Sequence, residues 1–150
     1  QKKTLIDCFD LFTSIEDLGD ENKIYNEKTE KKENATKQIL FWSLPKILVI
    51  TLKRFLNNGR KEKSLIDFPL DDLDLSKYVV GYDKHSYKYD LYGICNHSGG
   101  TGGGHYYAYV KNANGKWYEF NDARVEEITN LDKLKSPYAY CFFYRKQKNE

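Results

Sequence analysis

Two histidines enclose a glycine-rich run in the second half of the 150-residue chain. The run reads Asn96-His97-Ser98-Gly99-Gly100-Thr101-Gly102-Gly103-Gly104-His105-Tyr106. Because glycine loses much conformational entropy on folding, such a run is expected where the backbone needs positive φ or where another chain approaches closely. A phosphate-binding loop would end in Lys-Ser/Thr and continue into a helix, whereas a histidine and a predicted strand follow here. A plain flexible loop is the alternative.

His105 stands where the glycine run gives way to this predicted strand, a position that suits a general base. A catalytic imidazole needs an acceptor on its second ring nitrogen to fix its tautomer and its orientation. Asn121 and Asp122 lie on the next predicted strand, and either side chain can accept that hydrogen bond. A purely structural histidine is the alternative, and the nearby glycines together with the two acceptors favour catalysis.

The turn between these two strands decides which acceptor faces His105. The sequence Asn112-Ala113-Asn114-Gly115 is a strong hairpin signal. A two-residue turn brings Asp122 to the face of the sheet that carries His105. A three-residue loop with Gly115 in the left-handed bulge position instead places Asn121 diagonally opposite His105. The residues alone leave both registers open.

The remaining elements predict an α+β protein dominated by antiparallel strands. Thr4 and Asp7 can form a capping box for a short amphipathic helix that ends at Phe12. Residues 19–36 are polar and lack apolar periodicity, which indicates an exposed hairpin or projecting loop. Runs rich in β-branched and aromatic residues predict strands at 38–43, 46–55, 87–94, 105–111, 116–121 and 138–145. Residues 97–104 are predicted to form a glycine loop, 61–64 a solvated loop and 130–135 a short helix or turn.

Composition and charge disfavour several classes of function. The net charge of +2 comes from 24 basic and 22 acidic residues mixed along the chain. A protein that binds nucleic acid concentrates positive charge on one face, so no nucleic-acid partner is expected. No apolar run approaches the roughly 20 residues of a membrane-spanning helix, and no membrane partner is expected. Cys8, Cys95 and Cys141 lack paired spacing, which predicts buried thiols and an intracellular location, cytoplasmic or nuclear.

Several ordered motifs share the spacing of one protease family. Tyr89-Asp90-Leu91-Tyr92-Gly93-Ile94, His97-Ser98-Gly99 and Gly104-His105-Tyr106 match its histidine box, and residues 116–122 match the segment that carries its third catalytic residue. Further similar blocks lie at 44–55, 68–75 and 139–144. Over about residues 4–144 the chain therefore resembles the ubiquitin-specific proteases.

This resemblance implies a fold and an activity. The fold is that of a papain-like cysteine protease, of which this chain would be the C-terminal part, with a fingers remnant at about 19–40 and the palm at about 41–145. The activity is deubiquitination, the thiol-dependent hydrolysis of the isopeptide or peptide bond after the C-terminal glycine of ubiquitin. Ubiquitin and ubiquitinated proteins are the implied partners.

The resemblance also implies roles for individual residues. His105 would be the general base, Asn121 its orienting partner, and Asp122 a second polar contributor. An orienting role for Asn121 favours the bulged hairpin register. The positions that match contacts with the ubiquitin tail are His97, Gly99, Gly104, Tyr106 and Phe55. Trp117 is expected in the core.

The chain departs from the family pattern at its nucleophile and its metal site. The family's cysteine box is absent, so the missing N-terminal half of the catalytic domain is a further implied partner, and the chain alone is expected to be inactive. Asn26 and Thr29 stand where the family often has a zinc-binding Cys-x-x-Cys, so neither metal nor other cofactor is expected. A catalytically inactive ubiquitin-binding or scaffold module, or a β-domain without ubiquitin contact, is the alternative.

Overall fold

A computed structural model of the protein describes residues 3–82 and 86–148. In this part of the chain one α-helix is present, α1 (Leu5–Phe12). Its capping box is the predicted one, because the Asp7 backbone N–H donates to Thr4 Oγ1 at 3.1 Å and the Thr4 N–H donates to the Asp7 carboxylate at 2.9 Å. Within the described residues no helix has the length and apolar character needed to cross a bilayer.

Strands make up most of the remaining regular structure. In chain order they are β1 (Lys3–Thr4), β2 (Glu16–Asp17), β3 (Ile24–Asn26), β4 (Lys31–Glu33), β5 (Thr36–Lys37), β6 (Ile47–Thr51), β7 (Ile66–Asp67), β8 (Leu73–Asp74), β9 (Lys88–Gly100), β10 (Gly103–Lys111), β11 (Trp117–Asn121), β12 (Arg124–Ile128) and β13 (Ala139–Lys146). Short 3₁₀ helices lie at Asp20–Asn22, Ser76–Tyr78 and Leu131–Leu134. The last of these confirms the helix or turn predicted at 130–135.

The main sheet is antiparallel and has the strand order β12-β11-β10-β9-β13-β6, with β8 also paired to β9. One face of this sheet packs into the core with α1, because side chains alternate along each strand and the inward positions are apolar or aromatic. Trp117 lies in this core, as predicted, with 4% of its surface exposed. The predicted α+β class with mainly antiparallel strands is confirmed.

Buried tyrosines tie loops to the sheet through their hydroxyl groups. Tyr89 donates to the carbonyl oxygen of Pro45 at 2.6 Å, and Tyr144 donates to that of Pro69 at 2.7 Å. Burial raises the pKa of Tyr89 to about 12, so its phenol keeps the proton that makes this bond. Both loops that carry these prolines are therefore fixed against the sheet.

Two sequence-based predictions about this part of the fold were wrong, and one strand was not predicted. Residues 38–43 form no strand but only a single bridge between Phe41 and Val79, and Trp42 is 61% exposed. The supposed glycine loop at 97–104 is the end of the β9–β10 hairpin, whose turn is Thr101-Gly102. Strand β12 was not predicted, because its sequence Arg-Val-Glu-Glu-Ile has no regular alternation of apolar and polar residues. Pairing with β11 is what makes it a strand.

The predicted polar hairpin is confirmed in the region 19–36. Strands β3 and β4 pair in register from Ile24 opposite Glu33 to Asn26 opposite Lys31. Asn26 and Thr29 both donate to the Glu33 carboxylate, at 2.9 and 2.6 Å. These side chains lie at the positions where the resemblance implies a Cys-x-x-Cys pair in related proteins. Here, hydrogen bonds to an acid close the hairpin.

Candidate active site

His105 lies on β10 and its side chain is about half exposed. The β10–β11 pairing runs from Ala108 opposite Phe120 to Lys111 opposite Trp117. Continued to its end, this register places Asn121 diagonally opposite His105, on the same face of the sheet. Of the two registers left open by the sequence, the structure therefore has the one with the three-residue loop.

The hairpin loop shows why this register is adopted. Asn112 N–H donates to the Lys116 carbonyl oxygen at 2.9 Å, and Gly115 N–H donates to the Asn112 carbonyl oxygen at the same distance. Gly115 has φ of +80°, the left-handed conformation that glycine adopts without steric cost. The strands are thus joined by Ala113, Asn114 and Gly115, one residue more than a two-residue turn provides.

His105 and Asn121 are joined by a hydrogen bond of 2.6 Å between Nε2 and Oδ1. An amide oxygen can only accept, so Nε2 carries the proton and Nδ1 keeps its lone pair. No group among the described residues hydrogen-bonds Nδ1. A neutral imidazole held in this tautomer, with a free basic nitrogen at an exposed edge, can take a proton from a nucleophile.

An ion pair lies close to Asn121 on the same strand. Lys133 forms an ion pair with Glu119, and this interaction, followed by a hydrogen bond from Asn121, lowers the pKa of the Glu119 carboxyl. Glu119 lies two residues before Asn121 on β11, so this ion pair stands beside the residue that bonds His105. Lys133 and Glu119 were not identified from the sequence. Their contact joins β11 to the 3₁₀ helix at Leu131–Leu134.

Asp122 lies farther from the imidazole than Asn121 does. Its carboxylate oxygen is 3.9 Å from His105 Nε2, and its side chain is 82% exposed. Asp122 occupies the turn between β11 and β12 with φ of +51°. Of the two predicted partners, Asn121 makes the hydrogen bond, while Asp122 is a solvated charge beside it.

Three of the residues assigned to tail contacts, Phe55, His97 and Tyr106, form an aromatic cluster together with Tyr140. The His97 ring lies 4.6 Å from Tyr106, 5.5 Å from Phe55 and 6.4 Å from Tyr140, measured between ring centroids. Phe55 is 42% exposed and Tyr106 is 58% exposed, whereas His97 is buried. Since His97 pairs with Tyr106 and Ser98 with His105, alternation puts this cluster on the opposite face of the hairpin from His105.

Two of the glycines are required by the chain's own packing. A Cβ at Gly104 would overlap the Ser98 carbonyl oxygen and the His97 ring. Gly99 has φ of +101°, and a Cβ there would lie 2.7 Å from the Gly103 carbonyl oxygen. Glycine is therefore needed at both positions for the β9–β10 hairpin to close beneath the aromatic cluster.

Comparison with known proteins places this site in a family. The model of the ubiquitin carboxyl-terminal hydrolase family matches residues 14–144. The chain belongs to this family. It is 41% identical over its whole length to ubiquitin carboxyl-terminal hydrolase 4 of Pongo abelii, and 42% identical over 95% of its length to ubiquitin carboxyl-terminal hydrolase 15 of Homo sapiens. It spans 16% and 15% of these relatives, about a sixth of their length.

Solved structures of the ubiquitin carboxyl-terminal hydrolase family share the fold. The SAGA Ubp8/Sgf11/Sus1/Sgf73 DUB module bound to ubiquitin aldehyde matches all of this chain with a TM-score of 0.83 and 34% identity, and the match covers 35% of the solved chain. A yeast SAGA DUB module gives a TM-score of 0.83 and 35% identity over 99% of this chain and 34% of its own. The α+β arrangement thus agrees with the papain-like cysteine protease fold predicted from the sequence.

The three cysteines of this ubiquitin carboxyl-terminal hydrolase chain differ in environment from an exposed, activated thiol. Burial raises the pKa of the Cys8 and Cys141 thiols, which disfavours the reactive thiolate. The Cys95 thiol lies 3.7 Å from the Tyr140 hydroxyl, and the Thr51 hydroxyl lies 3.7 Å from the Cys141 sulfur. Over residues 3–82 and 86–148, no thiol hydrogen-bonds the His105 ring.

Across the described residues, no group of three or more His, Cys, Asp or Glu side chains is arranged to hold an ion.

Lys61 is a further residue near the site that the sequence analysis missed, because residues 61–64 were expected to be a solvated loop. The Asn57-Asn58-Gly59 turn folds the chain back so that Lys61 bridges to Phe55 in antiparallel fashion. The Lys61 ammonium then reaches His97 Nδ1 at 2.8 Å. The turn signal could have indicated that Lys61 returns beside Phe55, but the contact with His97 joins distant parts of the chain.

Proposed function

We propose that this chain supplies the general base and its orienting amide to the thiol-dependent hydrolysis of the bond after the C-terminal glycine of ubiquitin. The observation that carries the proposal is the 2.6 Å hydrogen bond between His105 Nε2 and Asn121 Oδ1. Membership of the ubiquitin carboxyl-terminal hydrolase family supports the substrate class. Ubiquitin, ubiquitinated proteins and the N-terminal part of the catalytic domain are the proposed partners.

In this proposal the tautomer of His105 defines each proton transfer. Nδ1 accepts the proton of a cysteine thiol, and the thiolate attacks the carbonyl carbon of the terminal glycine of ubiquitin. His105 then returns that proton to the leaving amine nitrogen as the bond breaks. Water attacks the resulting thioester with Nδ1 again as the base, which releases the ubiquitin carboxylate and restores the thiol. Asn121 accepts from Nε2–H throughout and stabilises the transient imidazolium.

The nucleophile is proposed to lie outside this chain. Cys8, Cys95 and Cys141 occupy a helix and two strands away from Nδ1, and burial holds two of them in the thiol form. The aromatic cluster and the closely paired glycines at 99 and 104 are proposed to contact the ubiquitin tail. The hairpin region 19–40 is the proposed fingers remnant and residues 41–145 the palm, in an intracellular protein.

The decisive test is His105→Ala in the full-length protein, assayed with ubiquitin that carries a C-terminal fluorogenic amide. Loss of the general base is expected to lower kcat by roughly 10²–10⁴-fold. Binding of ubiquitin, measured by surface plasmon resonance, should stay within a few-fold of the unmodified protein. Undiminished cleavage by the variant would show that the base lies elsewhere.

An inactive ubiquitin-binding module is the second candidate, favoured by the lack of a suitably placed thiol in the described residues. The 150-residue chain alone is expected to be silent toward an electrophilic ubiquitin C-terminal probe in either case. The same probe applied to the full-length protein distinguishes the two candidates. Labelling of an upstream cysteine supports the enzyme. If no cysteine is labelled while ubiquitin still binds, the inactive module is supported. Labelling of Cys8, Cys95 or Cys141 contradicts both assignments.

A further inference from the structure

The ammonium group of Lys61 is bound by strand β9 through three acceptors. Its Nζ lies 2.6 Å from the carbonyl oxygen of His97, 2.8 Å from His97 Nδ1 and 3.2 Å from the carbonyl oxygen of Gly99. An ammonium has three donors, so all of them are used. Burial lowers the pKa of Lys61, and nearby Arg54 and Lys63 lower it further.

Lys61 has no carboxylate among these partners. Within residues 3–82 and 86–148 it forms no ion pair with an acid. A partly desolvated cation with only neutral partners is costly, and it is retained where it does something specific. The side chain that it contacts here is the ionisable ring of His97.

The contact with Lys61 defines the state of His97. An ammonium cannot accept a hydrogen bond, so His97 Nδ1 must present its lone pair and the ring proton must sit on Nε2. The other groups around the ring are Phe55, Tyr106 from β10 and Tyr140 from β13, none of them acidic. Burial and Lys61 both lower the pKa of His97, so its neutral form is favoured.

The same lysine fastens two chain segments beneath the aromatic cluster. The bridge between Phe55 and Lys61 closes the first segment, a turn that includes Gly59. The second segment is the end of the β9–β10 hairpin. Thr101 donates through Oγ1 to the Gly59 carbonyl oxygen at 3.0 Å, which gives a second attachment between the two. Phe55 is thereby held at the edge of the His97 ring.

We propose that Lys61 is a positioning residue that keeps His97 neutral and the aromatic cluster assembled before the ubiquitin tail arrives. The expected effect of Lys61 on ubiquitin binding and cleavage rests on the proposed function. Its effect on the protonation of His97 does not. Protonation of His97 would put two cations in contact and break the bond to Nδ1. The cluster is then expected to open as the pH falls.

The sign of the pH effect follows from the lowered pKa of His97. A histidine with a folded-state pKa below its unfolded value of about 6.5 contributes stability above that pH. The contribution is lost as the pH falls from about 6.5 through the folded-state pKa. Ubiquitin binding is therefore expected to weaken in mildly acidic solution.

The test compares Lys61→Met, Lys61→Arg and Lys63→Met in the full-length protein. Imidazole ¹⁵N shifts should show a neutral, Nε2-protonated His97 in the unmodified protein, with a pKa that rises toward 6.5 in Lys61→Met. KM for ubiquitin substrates should rise roughly tenfold in Lys61→Met with kcat changed less than threefold. Lys61→Arg should restore the low pKa and part of the binding, and exposed Lys63→Met should match the unmodified protein.

Each outcome decides the assignment. An Nδ1-protonated His97 in the unmodified protein overturns it, and this measurement needs no variant. Unchanged His97 titration and KM in Lys61→Met also overturn it, as does an equal loss in Lys63→Met. If His105→Ala keeps full activity, the proposed function fails, while the imidazole spectra still decide whether Lys61 controls His97.

Discussion

At the scale of single residues, the imidazole of His105 has two polar neighbours at different distances. Asn121 accepts its Nε2 proton at 2.6 Å, and the Asp122 carboxylate stands at 3.9 Å and is open to solvent. A hydrogen bond to a group that becomes charged contributes more free energy of stabilisation than a solvated ion pair does. The two residues should therefore differ in their effect on activity.

Asn121→Ala is expected to lower kcat/KM by roughly 10–100-fold, because a hydrogen bond to a charged imidazolium is worth about 1.5–3 kcal/mol. Asp122→Ala should lower it less than about fivefold, since exposed ion pairs contribute about 0.2–1 kcal/mol. Steady-state hydrolysis of a fluorogenic ubiquitin substrate measures both. If Asp122→Ala lowered kcat/KM more than Asn121→Ala, Asp122 would be the orienting partner of His105 and Asn121 the secondary one.

Gly104→Ala tests the packing under the aromatic cluster. The new methyl group would overlap the Ser98 carbonyl oxygen and the His97 ring, and overpacking of this kind costs about 1–3 kcal/mol. The control is Gly102→Ala, because a Cβ at Gly102 meets nothing within 4 Å. Denaturant unfolding of the full-length protein should show a lower midpoint for Gly104→Ala alone, and equal midpoints would contradict this account of the glycines.

At the scale of elements, the β3–β4 hairpin is held by one acid. Hydrogen bonds from Thr29 and then Asn26 lower the pKa of Glu33. A carboxylate whose folded-state pKa is depressed contributes stability above its unfolded pKa, and that stability is lost as the pH falls through the folded-state value. The charged form of Glu33 thus helps to close this hairpin.

Glu33→Gln is expected to loosen this hairpin at neutral pH, because the neutral amide is a weaker acceptor for both donors. Backbone amide exchange in Ile24–Asn26 should become faster at pH 7. In the unmodified protein, the same protection should be lost as the pH falls below the ordinary glutamate pKa of about 4.3 and through the lower folded-state pKa of Glu33. Glu27→Gln, at an exposed position of the same hairpin, is the control, and an equal change there would refute the role of Glu33.

At the scale of the whole molecule, apolar surface is concentrated between α1 and strand β6. A groove of about 250 Å³ lies there, lined mainly by apolar side chains that include Phe12, Phe41 and Val49. Val49 is 50% exposed and Leu11 is 77% exposed. Strand β6 pairs with β13 on one side and ends the main sheet on the other, so its edge can pair with another chain.

The 150-residue chain alone is expected to self-associate through this edge and groove. Val49→Lys should shift it toward monomer, because a charge on an edge strand opposes strand pairing. The matched control is Leu131→Lys, at an exposed leucine of the 3₁₀ helix Leu131–Leu134. This control should leave the degree of self-association unchanged. Sedimentation velocity over a range of concentrations measures the effect. A monomeric unmodified chain at 100 µM would contradict it.

Local chemistry made much of this protein predictable from its sequence. The capping box of α1, the turn at Asn112–Gly115 and the apolar alternation around Trp117 involve residues a few positions apart, so their physics is contained in short segments. The candidate base and its two possible partners were identifiable for the same reason. Strand β12 and the absence of a strand at 38–43 could not be identified from the sequence, because both depend on pairing with distant strands or residues.

The tertiary structure decided how the site is assembled. One additional residue in the hairpin loop selects Asn121 over Asp122, since a shift of one residue exchanges the two faces of a strand. The contact of Lys61 with His97 spans 36 positions and carries no sequence pattern. Residue types thus fixed which groups could act as acid, base or acceptor, and long-range packing fixed which of them meet.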